Sequence, residues 1–597
     1  MDHRRIFNYG FGLVLFLYLA KAISETPSSR ERPLVYFYNI SKHSESYEEQ
    51  VLLFTFQGLV NRRQEDGLLM YDASFLNFDW PDADRWWRSQ LNESKRAIFQ
   101  DIEENNDNNL CDLIQAFNRT DIIHGTVLYP SASSSGDGYT LSMALNLAAQ
   151  NQLLPITPNL RTAYVCLDVL PIRKDLTTMP EVQNRSAAWA WAVRTLLPRS
   201  NRSMVYNMYH FDPRALTDPQ SNATVANLDY AIQQRAFVVD LKPDDVDDLN
   251  MLTNIFDQLD DLFDAFGWAH DEHAWTRAVS VAGGVVFCSF ASPNLSLWAR
   301  FPLLTSSPRR LPDADSGAPL DPSKYYVTFE TNEGDTPRIV VSAFGASWAN
   351  PNRGSVPVAW SVDPVLFERF PALMDWYART ATANDSFIGG VAGGGYVYLG
   401  ALTDAQLQRY AMRVGRLFAS YGPTVVDTYG QANFSVIERY SEYAAQGGAA
   451  PQAYVAQPLW AHGSYAEDAW RCPELNIASP SDGTPIVCTS ADPSLFYRNR
   501  GLNKDDPARD LAARIRNVST RYEPPFFVTV YGGLNWQPGS TGGKTEFWTL
   551  LRATMDDLGS DYRAIGANEM ARLAFEKCSL VNTTTANKTF SCAKRKR

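Results

Sequence analysis

Seven short apolar runs recur in the second half of the chain: YYVTFE (325–330), VPVAW (356–360), SFIGG (386–390), TVVD (424–427), QAYVAQ (452–457), FFVTV (526–530) and YRAI (562–565). Each has strand length and is rich in β-branched or aromatic residues. Between many of them the apolar spacing changes to a helical period. Thr403 and Gln406 form a capping-box pattern, and Leu407, Ala411, Val414 and Phe418 then fall on one helix face. Asp363 followed by Pro364 reads as an N-cap and first helical position. Strands alternating with helices predict a (β/α) barrel-like domain of seven or eight strands over residues 325–577, with an open doubly wound sheet as the alternative. The first half also mixes the two periods. LVYFYNI reads as a strand, Gln50 to Val60 as a helix, LLMYDA as a strand, and IIHGTVLYP and LSMALNLAAQNQ as strand and helix around the turn SSSGDGYT. This predicts an N-terminal α/β domain over residues 30–304. The stretch 305–324, TSSPRRLPDADSGAPLDPSK, has no periodicity and reads as a linker. Residues 578–597 read as a tail.

Composition narrows the setting. The chain has 597 residues with a net charge of −12. That acidity argues against nucleic acid as a partner. The start reads MDHRR, an apolar run from Ile6 to Ala20, then Ala20-Lys21-Ala22. This is a secretory signal peptide pattern over residues 1–22. The run is short against the roughly 20 residues of a bilayer span, so no membrane span is expected after cleavage. A signal anchor is the alternative. Twelve N-glycosylation sequons fall at Asn39, Asn92, Asn118, Asn184, Asn201, Asn222, Asn294, Asn384, Asn433, Asn517, Asn582 and Asn587, which fits a secreted, extracellular glycoprotein. Among seven cysteines, Cys472 and Cys488 flank a Pro/Ser/Gly-rich loop and are expected to pair. Cys578 and Cys592 could staple the tail. Cys166 and Cys288 sit in apolar runs and read as buried thiols, and Cys111 is unassigned. Oligomeric state leaves no mark on the sequence.

In a barrel, chemistry belongs on the loops after the strands' C-terminal ends. After the first strand comes Asn332-Glu333-Gly334-Asp335, two carboxylates straddling a glycine. Such a pair can split into protonated and ionised roles, as glycoside hydrolysis requires. The same oxygens, with Asn332, could instead bind a divalent cation in a deacetylase or esterase, although no cofactor is otherwise required. Asp427 ends the fourth strand and is a third candidate acid. Trp360 follows the second strand, and Gly393, Gly395, Tyr396 and Tyr398 lie in the glycine-rich segment after the third. Gln457 and His462 follow the fifth, Asn535 and Trp536 the sixth. Aromatic faces with polar tips suit sugar subsites. The expected partner is a carbohydrate or glycan. No G-x-S-x-G, Walker A, H-E-x-x-H or Cys/His metal spacing appears.

The segment GGGYVYL (393–399) resembles the GxGYxYP family of putative glycoside hydrolases, with Gly393, Gly395, Tyr396 and Tyr398 in the defining positions and Leu399 where the family has proline. NRGSVPVAWSVDP (352–364), the YVTF…EGD segment (326–335) and FQGLVNR (56–62) are also similar to the family. Glu333 to Thr336 would match the family's acidic turn D-G-D-N, with Glu and Thr substituted. The resemblance covers roughly residues 33–575. It implies an N-terminal α/β part, a barrel-like C-terminal part and a glycosidic-bond hydrolase. A non-catalytic glycan-binding or cell-surface protein on the same scaffold is the competing expectation.

Overall fold

The computed structural model describes residues 32–40, 46–63, 67–73, 80, 82–102, 109–117, 122–131, 138–208, 225–269, 271–312, 314–331, 335–429, 434–457, 477–479, 486–488, 505–531, 547–582 and 590–591. The N-terminal half, expected as one α/β domain, contains three separate parallel sheets. In the first, β1 (Leu34–Asn39) lies between β2 (Leu68–Asp72) and β3 (Ile98–Asp101). In the second, β4 (Gly125–Leu128) lies between β5 (Leu153–Ile156) and β6 (Ile172–Asp175). The third contains β7 (Asn201–Asn207), β8 (Ala236–Val239), β9 (Asp264–Gly267) and β10 (Val285–Cys288), in the order β10-β9-β7-β8.

The FQGLVNR segment explains how these units hold together. It ends the helix Tyr47–Asn61, which starts at a Ser46/Glu49 capping box. Gln57 donates to Asn294 Oδ1 at 2.7 Å, Asn61 donates to the Leu69 carbonyl at 2.9 Å, and Arg62 donates to the Ala149 carbonyl at 2.9 Å. These partners lie in all three units, so the motif's polar side chains join them. Gly58 is needed at the crossing, because a Cβ there would lie 2.4 Å from the Asp229 carbonyl oxygen of the helix Leu228–Gln234. Asn294 is buried inside this network, which removes it from the expected glycosylation sites.

The C-terminal half is a nearly closed parallel barrel-like sheet. Its strands are β11 (Tyr325–Thr331), β12 (Val358–Val362), β13 (Asp385–Val391), β14 (Val425–Tyr429) and β15 (Ala453–Gln457). β16 (Ile477–Ser479), β17 (Ile486–Cys488), β18 (Phe526–Tyr531), β19 (Tyr562–Ala564) and β20 (Phe590–Ser591) follow. The parallel order is β18-β11-β12-β13-β14-β15-β17. β17 and β18 approach each other without a hydrogen-bonded ladder, leaving a seam. β19 pairs with the first half of β11, while β16 and β20 extend the edge in antiparallel fashion. All seven runs read from the sequence are strands. β17, too short to read there, completes the barrel in place of β19.

Strand alternation sorts the side chains. Val327, Phe329, Trp360, Phe387, Tyr454 and Val528 face outward into the main core, against the helices. Tyr326, Ala359, Ile388, Val425, Ala453, Val455, Val487 and Phe527 face inward and form a separate apolar core with Ala567, Met570, Ala571 and Ala574 of the helix Ala567–Asn582. That helix closes the barrel's lower end, where the Ala567 N–H bonds the Ser386 hydroxyl. It also runs past the expected tail boundary at 578. Residues 305–312 and 314–324 carry neither helix nor strand.

Three expectations change. Cys166 is not a buried thiol: it is disulfide-bonded to Cys111, because its apolar run is a short surface helix in which only Leu167 is buried. Cys288 is buried and free, as read from the sequence. Asp363 does not cap the next helix, which begins at Leu366 without a side-chain cap. Its carboxylate turns into the barrel instead. Trp360 does not line a subsite. It points outward among Phe344, Trp348 and Trp548, with its Nε1 donating to Asp385 at 2.8 Å, because its parity is that of the helix-facing side of β12.

Candidate active site at the barrel mouth

Above the apolar plug the inward positions turn polar: Thr328 and Glu330 on β11, Ser361 on β12, Asp363 just past it, Asp427 on β14 and Thr529 on β18. Glu330 and Asp427 are fully buried. Burial raises the Glu330 carboxyl to about 8. Burial and the charge of Glu330 push Asp427 well up. Burial raises Asp363 to about 7, although the Thr336 hydroxyl and the Gly395 N–H both bond its carboxylate.

At the rim sits a second group that solvent can reach. Asp335 follows β11 and is paired with Arg338, Nη1 to Oδ2 at 2.8 Å, with the two side chains 18% and 11% exposed. Arg338 in turn stacks over Phe290, 4.4 Å from the ring centre. Facing Asp335 is Glu272, the first residue of the helix Glu272–Val281 in the third N-terminal unit. Desolvation, then the negative charge of Asp335, raises Glu272 to about 7. The Tyr396 hydroxyl donates to Glu272 Oε1 at 2.7 Å and partly offsets that rise. Behind them burial pushes the Cys288 thiol up, so it stays protonated.

The glycine-rich segment creates this meeting. Ala392, Gly393 and Gly395 all have positive φ (63°, 85° and 128°), which curls the chain off the end of β13. Tyr396 then pairs antiparallel with Val286 at the edge of β10, through N–H···O bonds of 3.0 and 3.2 Å. At Gly395 a Cβ would lie 2.3 Å from Val285 Cγ1, so only glycine permits the approach. The Tyr398 hydroxyl bonds His273 Nδ1 at 2.8 Å. Tyr396 and Tyr398 are both buried. They dock the barrel onto the third unit and set Glu272 opposite Asp335; they are not an open sugar platform.

Of the residues singled out by sequence, Asp335 and Asp427 thus lie at two levels of one barrel end, and Gly393, Gly395, Tyr396 and Tyr398 lie beside them. Gln457 ends β15 and Cys488 ends β17, with side chains outside the description. Asn332, Glu333, His462, Asn535, Trp536 and Cys472 lie outside the described residues. Sequence reasoning missed Glu272, Glu330 and Arg338. Glu272 sits in DEHAW, a half-chain away, and reads as an ordinary helix-start acid. Glu330 carried a usable signal: it is a carboxylate at an inward position of an otherwise apolar strand. Among the described residues, no three His, Cys, Asp or Glu side chains form a metal-ligand group, and no helix is long and apolar enough to cross a membrane.

Two family domains match the chain. The GxGYxYP putative glycoside hydrolase C-terminal domain matches residues 323–532, and the GxGYxYP third domain matches residues 214–300. No curated protein matches. Among solved structures the chain is similar to that of a putative hydrolase from Bacteroides thetaiotaomicron, with a TM-score of 0.70 at 16% identity, covering 92% of this chain and 95% of that one. At that identity the likeness shows a shared fold. A putative polysaccharide deacetylase from Mycobacterium smegmatis also matches, at a TM-score of 0.28 and 12% identity over 46% of this chain and 96% of that one.

Proposed function

We propose that this chain, which carries the GxGYxYP third and C-terminal domains, is a secreted glycoside hydrolase whose acid–base pair spans the junction of those two domains. The observation that carries the reading is the split environment of two reachable carboxyls. Asp335 is ion-paired with Arg338, and Glu272 is raised to about 7 by burial and by the charge of Asp335. A glycosidase needs this division of labour. Glu272 donates its proton to the glycosidic oxygen as the C–O bond breaks. Asp335 stabilises or attacks the anomeric carbon, or activates the water that does. Asp427, a third candidate in the sequence, is too deeply buried to touch a glycan. Secretion is supported by the signal-like N-terminus, the exposed sequon residues Asn92, Asn184 and Asn517, and a disulfide, which persists in oxidising compartments.

The test is a glycan and aryl-glycoside panel assayed with wild type, Glu272→Gln, Asp335→Asn and Glu333→Gln. Turnover lost in the first two supports the pair. Unchanged turnover in both overturns it, and loss in Glu333→Gln alone moves the role to that residue.

A further inference from the structure

The barrel lumen holds oxygens that this hydrolysis does not use. Neither carboxylate oxygen of Asp427 accepts a hydrogen bond of good geometry, the N–H of the adjacent Thr428 being only a weak contact, and the side chain is fully buried. Two inward hydroxyls, Ser361 on β12 and Thr529 on β18, are also buried and without partners. Asp363 Oδ1, likewise without a partner, reaches in where β13 offers only Gly390. A Cβ at that glycine would lie 2.4 Å from Asp363 Oδ1 and 3.6 Å from Ser361 Oγ. Glu330 completes the set from β11, close enough for its charge to act on Asp427.

Alternation along each strand turns these groups to the inner face of the sheet, the face that also carries the apolar plug. Leaving a buried carboxylate and two buried hydroxyls bare is unfavourable, because each has given up water without a replacement partner. One shared proton would satisfy a single Asp427 oxygen and leave the other oxygen and both hydroxyls bare. A donor set made of oxygen alone, with two carboxylates among neutral hydroxyls, fits a hard divalent cation and not a thiolate- or imidazole-seeking metal.

We infer that the barrel lumen binds a hard divalent cation of the calcium or magnesium class between Asp427 and Glu330, with the Ser361 and Thr529 hydroxyls and water completing its shell. The role is structural. The donors come from β11, β12, β14 and β18, and β18 borders the seam against β17. The ion therefore ties together strands that the incomplete ladder leaves loosely closed.

The experiment uses the mature full-length chain, stripped with EDTA and dialysed, then titrated with CaCl₂ or MgCl₂ by calorimetry and followed by thermal melting. One saturable site is expected, with a melting temperature raised by about 3 °C at a hundredfold excess over Kd. Asp427→Asn should abolish the site, and Ser361→Ala, which keeps both carboxylates and is the milder change, should weaken it at least tenfold. Glu272→Gln should keep it in full, so the result is independent of whether the glycosidase reading stands. Absence of a saturable site for both cations overturns the inference. So does a cation response that survives unchanged in both Asp427→Asn and Ser361→Ala, which would mark it as surface binding to an acidic protein.

Discussion

At the scale of single residues, the decisive feature is that two carboxyls of the same chemistry sit in different surroundings. Glu272 has lost solvent and faces a negative neighbour; Asp335 has gained a guanidinium. Glu272→Gln should lower kcat/KM by about 10²–10⁴, the range for removing a general acid, with the circular dichroism spectrum unchanged. The wild-type kcat/KM should fall as pH rises through about 7, where Glu272 loses its proton, and that limb should vanish in the variant. Tyr396→Phe gives a finer check. Its hydroxyl bonds the ionised form of Glu272 and so lowers that group's pKa; without it, the alkaline limb should move to higher pH. A profile that stays in place would mean Glu272 is not the titrating acid.

At the scale of elements, the glycine-rich segment acts as a joint. It leaves β13, makes one bridge to β10, and places two tyrosine hydroxyls on the third unit's first helical residues. Gly395→Ala combines a positive φ with a clash against Val285 and should cost about 2–4 kcal/mol, read by urea unfolding. The disulfide joins the helices Asn109–Ala116 and Val165–Asp168 across a sequence separation of 55. Cys111→Ser with Cys166→Ser should cost about 4 kcal/mol on the chain-entropy estimate. The strands and the Thr403/Gln406 capping box were legible because strand length, β-branching and cap chemistry are local. The pairing of Cys166 was not legible, because an apolar run says nothing about which face of a surface helix it occupies.

At the scale of the whole molecule, the fold buries an unusual amount of acid. Asp84, Asp229 and Asp363 are raised to about 7, Glu330 to about 8 and Asp427 well upward, each mainly by desolvation. In the unfolded chain these groups titrate near 4. Between about pH 4 and 8 the native state therefore holds more protons than the unfolded state. Stability is full below about pH 4 on this account and is lost as pH rises through 7 to 8, by up to about 1.4 kcal/mol per pH unit for each group still protonated. In the presence of EDTA, thermal melting should peak under mildly acidic conditions and decline toward pH 8. A flat profile would show that these carboxyls ionise without penalty.

The sequence by itself determined the parts: six barrel strands with β19 beside them, the Thr403/Gln406 capping box and the GGGYVY segment. Each of these rests on residues within a few positions of one another. Only the tertiary structure decided what those parts face. Parity placed Trp360 in the core and Asp363 in the lumen, because one register step exchanges inside for outside. Closure of the sheet brought Glu330 against Asp427 across strands roughly a hundred residues apart in the chain. Docking of the third unit brought Glu272 to Asp335. Nothing local in DEHAW marks that acid, because its changed proton affinity comes from burial in the assembled fold and then from a neighbour in the other half of the molecule.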